Sequence, residues 1–501
     1  LKKGCVLLLV VCSIFLVSQA WADPWALVVN YQGNPTAGLN PGDPDVEHPG
    51  TIHLINLAPH PPTVLGPFLE DQLYLPPDPI PPEGSSGGGL LDTVAVAIPG
   101  SAYALVSDFG DSLIFKINLE DPRNPILEGS LDIGMLAEDI AVTGDGSLAL
   151  VTDGNFATNV AMIDLATFTL NALAPLEVDH DGDPLTAPVA ASAQAVAVTP
   201  NGRTVLFADY VNGKIHYGLI NAAKDGIESL QSVTLCSEPL VDNDMDPSTP
   251  PVCQAYRGWP LNIAISPNGA TAIVAASFCG SVWVLRITGA GAVEPGNPFF
   301  LEGLPSGYVD DPVGDPSTCH RIGEGGVQLA AGGNQSIAFS PDGSRAYVTS
   351  QVPDDYDGET LISFNPDQLS VLNITGPGEV SIGTAGAADL LSNIIGQFFG
   401  VDTLAITPDG RYALVGNANI FGEENEDLGI PGVSRNVSLV DLQTFEVAAL
   451  ETDSSFPVGI TIFSLSEAIP IPVMAPWGMV AFVLMVSLIA FYYLRRRQSA
   501  H

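Results

Sequence analysis

The chain has 501 residues, 46% apolar and 14% charged, with 16 Lys and Arg against 56 Asp and Glu for a formal net charge of −40. That apolar content excludes an intrinsically disordered chain and is enough for a large buried core. The acidic excess excludes nucleic acid as a partner, because a phosphate backbone needs a positive surface.

At the N-terminus, Lys2 and Lys3 precede an apolar stretch from Val6 to Val17 and the small-residue site Ala20-Trp21-Ala22. This is the pattern of a secretory signal peptide, residues 1–22, with cleavage expected after Ala22. Cys12 follows Val11, which is not the small residue a lipid-attachment site requires. Five of the 16 basic residues (Lys2, Lys3, Arg495, Arg496, Arg497) and one of the 56 acidic ones (Glu467) lie in the two ends. The exported body therefore carries 55 acids against 11 bases. Such a balance suits cation binding or solubility in an exposed environment.

The length of the body would ordinarily suggest two or three domains, but internal repeats argue for one. Ile140–Val151, Val196–Phe207, Ile263–Val274, Ile337–Val348 and Leu404–Val415 share one design, with a weaker copy at Val94–Val106. Each is an apolar strand, a tight turn and a second apolar strand. The turns Thr-Pro-Asn-Gly, Ser-Pro-Asn-Gly, Ser-Pro-Asp-Gly and Thr-Pro-Asp-Gly have a mechanism: Pro presets φ, while Asn or Asp and Gly accept left-handed φ. Third strands are expected at Ser112–Ile117, Val160–Leu165, Lys214–Leu219, Val282–Ile287, Thr360–Phe364 and Val437–Leu442, followed by a less regular fourth, as at Phe445–Leu450. Four strands per unit around a ring make a β-propeller. Six units fill 92 to about 450. Pro457–Ile462 reads as a lone first strand, and Ala26–Asn30 and Thr51–Asn56 as second and third strands lacking a first. Sharing one blade, the two ends would close a seven-bladed, all-β ring over residues 23–464 and leave no open edge.

The segments Ala346-Tyr-Val-Thr-Ser350, Ala413-Leu-Val-Gly-Asn417 and Val437–Thr444 resemble the YVTN-type seven-bladed propellers, which are related at fold level to the lactonase-like group. The resemblance implies the fold; it does not carry an activity residue by residue.

In antiparallel blades the first-to-second and third-to-fourth turns share one face. The second-to-third loops and the links between blades share the other. The long insertions, 31–50, 70–91, 175–192, 236–260, 297–334, 376–400 and 418–435, fall on the second face, which is therefore expected to be the functional one. Acid clusters follow the same rule. Asp179, Asp181 and Asp183, and likewise Asp242, Asp244 and Asp246, alternate along the chain. Further groups stand at Asp310/Asp311/Asp315, Asp354/Asp355/Asp357 and Glu423/Glu424/Glu426. Hard oxygens at this spacing suit Ca²⁺, although none forms a complete EF-hand loop; solvated loops with Asx-turns are the other reading.

Cys236, Cys253, Cys279 and Cys319 remain after signal cleavage. An even count in an oxidising envelope favours disulfides, with Cys236–Cys253 and Cys279–Cys319 preferred among three pairings and a thiolate metal site as the alternative. His53 and His216 fall on expected third strands and read as structural or surface histidines. No Gly-x-Ser-x-Gly, His-Glu-x-x-His or P-loop pattern occurs.

The tail, 465–501, holds an uncharged apolar run from Trp477 to Leu494 followed by Arg495, Arg496 and Arg497. Its length and basic flank suit a single transmembrane helix with the arginines cytoplasmic. Ile471-Pro472-Val473-Met474-Ala475-Pro476-Trp477-Gly478 resembles the Ile-Pro-Thr-Leu-x-x-Trp-Gly signal of exosortase-processed proteins, with Val473-Met474 in place of Thr-Leu. The resemblance implies a Gram-negative envelope, a processing enzyme of exosortase type, and a chain anchored in the membrane or released from it after processing; an ordinary single-pass anchor is the alternative.

The sequence thus leads to an exported, non-enzymatic propeller that binds a protein or glycan through its long-loop face with Ca²⁺ in support. A lactonase-like hydrolase working at the channel mouth is the alternative.

Overall fold

The computed structural model describes residues 24–31, 51–59, 61–69, 94–108, 112–154, 159–178, 189–190, 193–209, 214–234, 260–276, 282–295, 308–310, 319–321, 334–350, 355–357, 360–363, 368–383, 388–389, 401–417, 436–452 and 456–464. Every regular element among them is a β-strand. Seven antiparallel sheets are built on four strands each, in sequential order in six of them, and we number them as blades by their place along the chain.

Blade 1 comprises Ala95–Ala97, Tyr103–Asp108, Leu113–Asn118 and Ile126–Asp132. Blade 2 comprises Ala137–Val142, Leu148–Asp153, Asn159–Asp164 and Thr169–Pro175. Blade 3 comprises Ala193–Val198, Thr204–Asp209, Lys214–Ile220 and Ile227–Thr234. Blade 4 comprises Pro260–Ile265, Thr271–Ala276, Val282–Ile287 and Val293–Pro295. Blade 5 comprises Asn334–Phe339, Arg345–Ser350, Gln368–Gly376 and Glu379–Ile382, with Ala388–Asp389 added beside the third strand. Blade 6 comprises Val401–Ile406, Tyr412–Asn417, Asn436–Asp441 and Val447–Glu451.

Blade 7 is the mixed one. Phe456–Ser464 is its first strand, and the N-terminal strands Pro24–Tyr31, Thr51–Asn56 and Thr63–Phe68 are its second, third and fourth. Ile460 and Val28 share one buried cluster. The first strand of blade 7 is also tied to both neighbours. The N–H of Ile460 donates to Thr403 Oγ1 of blade 6 at 3.1 Å, and Thr461 Oγ1 accepts from the N–H of Ala97 of blade 1 at 3.0 Å.

Second and third strands are buried on both faces because each blade is stacked between two others. Leu148, Leu150, Val160 and Met162 of blade 2 pack on Val196, Val205 and Phe207 of blade 3. Leu206, Ile215 and Tyr217 of blade 3 pack in turn with Val274 and Leu285 of blade 4. Strands sandwiched this way read as continuous apolar runs rather than alternating ones. Outer strands have a solvent side, and Ile126–Asp132 accordingly alternates between exposed and half-buried positions.

Blade 5 departs from the expected pattern. Thr360–Ser363 is not its third strand; it pairs with Asp355–Asp357 in a separate hairpin, and Gln368–Gly376 takes the third position beside Arg345–Ser350. The deciding term is packing. Leu369, Val371 and Leu372 are buried in the seams with the neighbouring blades. The fourth strand, Glu379–Ile382, lies within the stretch 376–400 that sequence spacing assigns to a loop.

The two faces differ as expected. The first-to-second and third-to-fourth connections are short throughout, the longest being 119–125. The three two-stranded hairpins, Glu177–Val178 with Val189–Ala190, Tyr308–Asp310 with Cys319–Arg321, and Asp355–Asp357 with Thr360–Ser363, all interrupt connections of the other face.

Candidate functional site

On the short-turn face, five turns are built alike. Thr143, Thr199, Ser266, Ser340 and Thr407 each donate a hydroxyl hydrogen bond to the side-chain Oδ1 of Asp145, Asn201, Asn268, Asp342 and Asp409, at 2.6–2.8 Å. The same oxygen accepts the backbone N–H two residues on, from Ser147, Arg203, Ala270, Ser344 and Arg411. The glycine that follows lies at φ 67–69° in all five. It also lies close to its neighbour: a methyl on Gly269, Gly343 or Gly410 would come within 3.3–3.4 Å of Pro200, Pro267 or Pro341 of the preceding blade. Turn chemistry and inter-blade packing thus select the same tripeptide.

The long-loop face has a polar floor. Second strands end there on Asp108, Asp153, Asp209, Ser350 and Asn417, with Ala276 as an exception, and in blade 7 Asn30 stands one residue before the end of the strand. One residue earlier, Ser107, Thr152 and Thr349 accept the N–H of Val94, Asp139 and Ser336 at 2.8–3.1 Å. These hydroxyls satisfy backbone freed where first strands bulge, at 137–140 in blade 2 and 334–337 in blade 5. The hydroxyl of the Tyr-Val-Thr stretch is therefore a bulge clamp. The bulge residue can also reach the next blade. Asp139 Oδ2 accepts the N–H of Val196 at 2.8 Å, just as Thr403 accepts Ile460. Burial pushes the Asp139 carboxyl up to about 6, outweighing the N–H donors of Val196 and Ile140. Beside it, Gln194 Nε2 donates to Glu138 Oε1 across the seam between blades 2 and 3.

Blade 3 holds the most elaborate polar set. His216 Nε2 lies 2.8 Å from Asp209 Oδ2, and His216 Nδ1 lies 2.7 Å from Ser232 Oγ. Asp209 and His216 are fully buried, whereas Ser232 is exposed on the outer strand. Acid, imidazole and hydroxyl at these spacings satisfy the distance test for an activated nucleophile. The same rung recurs in other blades with Asn in place of the acid. Asn417 Nδ2 donates to Asn436 Oδ1 and Ser438 Oγ, and Asn30 Nδ2 lies 2.7 Å from His53 Nδ1. His53 and His216 are thus buried cross-strand ties on third strands. Their partners were missed in the sequence because they stand on different strands; the available signal was the repeated polar residue at or near the end of most second strands.

Most of the sequence-predicted site residues fall where the structure gives no description. Asp179, Asp181, Asp183, Asp242, Asp244 and Asp246, together with Cys236, Cys253 and Cys279, lie outside the described residues. Cys319 opens the strand Cys319–Arg321 with its backbone opposite Asp310. Ile471, Pro472, Trp477, Gly478, Arg495, Arg496 and Arg497 of the tail are likewise outside. Among the described residues no three metal-ligating side chains cluster, and no helix is long and apolar enough to cross a membrane.

No family model matches the sequence, and no curated relative matches it. Solved structures do. The periplasmic gluconolactonase of Pseudomonas aeruginosa is 13% identical with a TM-score of 0.52, over 88% of this chain and 99% of that one. A candidate 6-phosphogluconolactonase of Bacteroides uniformis is 13% identical with a TM-score of 0.50, over 88% and 100%. A protein of unassigned function from Desulfotomaculum acetoxidans is 14% identical with a TM-score of 0.50, over 88% and 99%. At this identity the likeness is one of fold.

Proposed function

We propose that this chain is an exported, envelope-associated propeller that binds a protein or glycan through its long-loop face and is not an enzyme. One observation carries the reading: the three inserted hairpins among the described residues and the long connections belong to one face, while the opposite face is held to short turns, five of them built alike. A rigid scaffold that grows loops on one side only is the architecture of a binding surface. The signal peptide and the exosortase-type tail support display at a Gram-negative surface, anchored or released. The test is binding of the purified exported protein to envelope proteins and surface polysaccharide. Variants shortened within 235–259 or 296–333 lose that binding, whereas Lys224→Ala on the other face retains it; equal binding by all three contradicts the proposal.

Calcium is the supporting ion in this reading, held by Asp179, Asp181 and Asp183 and by Asp242, Asp244 and Asp246. The Val178 and Val189 pairing brackets the first cluster, and alternating carboxylates supply the hard oxygens Ca²⁺ takes. A calcium-dependent rise in melting temperature, reduced by Asn at the first three positions, supports it. A melt indifferent to calcium and chelator removes it.

The Asp209–His216–Ser232 set favours a second reading, a lactonase-like hydrolase, placed on the rim of blade 3 rather than at the channel mouth. In it His216 Nδ1 takes the Ser232 proton as Oγ attacks the carbonyl carbon, and Asp209 holds the imidazolium. Labelling of Ser232 by a fluorophosphonate, lost on His216→Gln, would favour this reading over the first.

A further inference from the structure

In blades 3, 4 and 5 the third-to-fourth turn leans over the preceding blade, through Lys224, Gly291 and Gly378. In blade 3 that turn carries Lys224, whose Nζ sits 2.9 Å from Asp145 Oδ2 in blade 2 and also hydrogen-bonds Ser147 Oγ. The bond from Ser147 leads the set that holds the Asp145 carboxyl well below the usual carboxylate range, with those from Thr143 and Lys224 adding to it. The seam between blades 2 and 3 is filled by this cation on an anion.

The next seam is built differently. The corresponding turn of blade 4 is Thr288-Gly289-Ala290-Gly291, which carries no long side chain, and Gly291 lies against Thr204 and Leu219 of blade 3. A groove of about 280 Å³ remains between the turns of blades 3 and 4. Its charge is the reverse of the neighbouring seam. Asn201 stands where blade 2 has Asp145, and Arg203 stands where it has Ser147. Of the five like turns, the two with Asn rather than Asp are the two that line this groove, Asn201 and Asn268. In each, Oδ1 is committed to its own turn, so the amide group presents its Nδ2 donors outward. Among the described residues no carboxylate lines the groove, in a body with 55 acids against 11 bases. Arg203 takes part in none of the ion pairs among the described residues.

We propose that this groove binds a small carboxylate-bearing molecule of about monosaccharide size, with Arg203 as counter-charge and Asn201 and Asn268 as neutral donors. A guanidinium fork matches a carboxylate in geometry, and a single positive charge matches one carboxylate better than a phosphate of charge about −1.5 to −2. Thr288 lines the same space, and a hydroxyl there suits a hydroxylated ligand. This site is on the short-turn face and does not rest on the loop-face reading.

The test is calorimetric titration of the full chain with glucuronate, glucose and inorganic phosphate, since the first two differ only in the acid group. Asn201→Asp with Asn268→Asp is the informative variant, because Asp145, Asp342 and Asp409 show that Asp keeps the turn. Saturable glucuronate binding, at least tenfold weaker in that double variant and in Arg203→Ser, supports the proposal. No saturable binding of glucuronate, equal binding of glucose, binding of phosphate alone, or affinity unchanged in the variants each overturns it.

Discussion

The N–H of Ala97 donates to Thr461 Oγ1 at 3.0 Å across 364 positions of sequence. The bond joins the first strand of the first blade to the C-terminal strand that completes the last. A ring closed this way has no unpaired inner strand on which another chain could add. Its expected contribution is modest: Thr461→Val should cost about 1 kcal/mol, read as a small fall in the urea midpoint. Ending the chain at Thr452 is a different matter. It strips the cover from Ala26, Val28 and Ile55, and should abolish the cooperative transition and open residues 24–31 to proteolysis.

Asp139 makes the fold pH-dependent. Its carboxyl titrates near 6 in the folded chain because it is enclosed between blades 2 and 3, against about 4 when unfolded. Between those values the folded chain holds a proton that the unfolded chain has lost. Stability from this site therefore falls as pH rises from 4 to 6, by about 3 kcal/mol at most, and levels off above 6. Asp139→Asn keeps an acceptor for the Val196 N–H and removes the charge. Urea midpoints taken between pH 4 and 7 should show this falling component in the parent but not in the variant; parallel profiles would show that the carboxyl is not desolvated.

The turn residues allow a graded test. Asp342 Oδ1 accepts from Ser340 Oγ, Ser344 N and Ser344 Oγ. Asp342→Ala loses all three and should cost about 1–2 kcal/mol, in the range of a lost helix cap. Asp342→Asn should be close to neutral, as Asn201 and Asn268 serve in the same turn. Thermal melts of the two variants check the order.

The buried pair in blade 3 predicts an asymmetry. His216→Ala removes the imidazole bonded to the enclosed Asp209 carboxyl and leaves a cavity, and should destabilise by about 2–5 kcal/mol. Ser232→Ala, at the exposed end, should cost under about 1 kcal/mol. If Ser232→Ala instead removes an esterase or lactonase activity without moving the melt, the set is catalytic and not a structural tie.

What could be read from the sequence follows from how local each signal is. The turns at Pro200-Asn201-Gly202 and its relatives fix φ and hydrogen bonds within five residues, so the strand pairs beside them were legible. Blade 7 was legible because Pro457–Ile462 and Ala26–Asn30 each lack a local partner. Blade 5 was not. Thr360-Leu-Ile-Ser and Gln368-Leu-Ser-Val look equally strand-like, and only the seams filled by Leu369 and Val371 choose between them. Asp209, His216 and Ser232 are united by register across three strands, which no short window contains. The groove at Gly289-Ala290-Gly291 is harder still, because its cause is a side chain that is missing relative to Lys224.

Circular permutation tests the closed ring most directly. Residues 456–464 are moved by a short linker to precede Pro24, so that blade 7 reads in sequential order and the chain ends at Thr452. A permutant that melts in one transition at or above the parent temperature is the predicted result. A permutant that fails to fold, alongside a chain simply lacking 456–464 that melts like the parent, would contradict it.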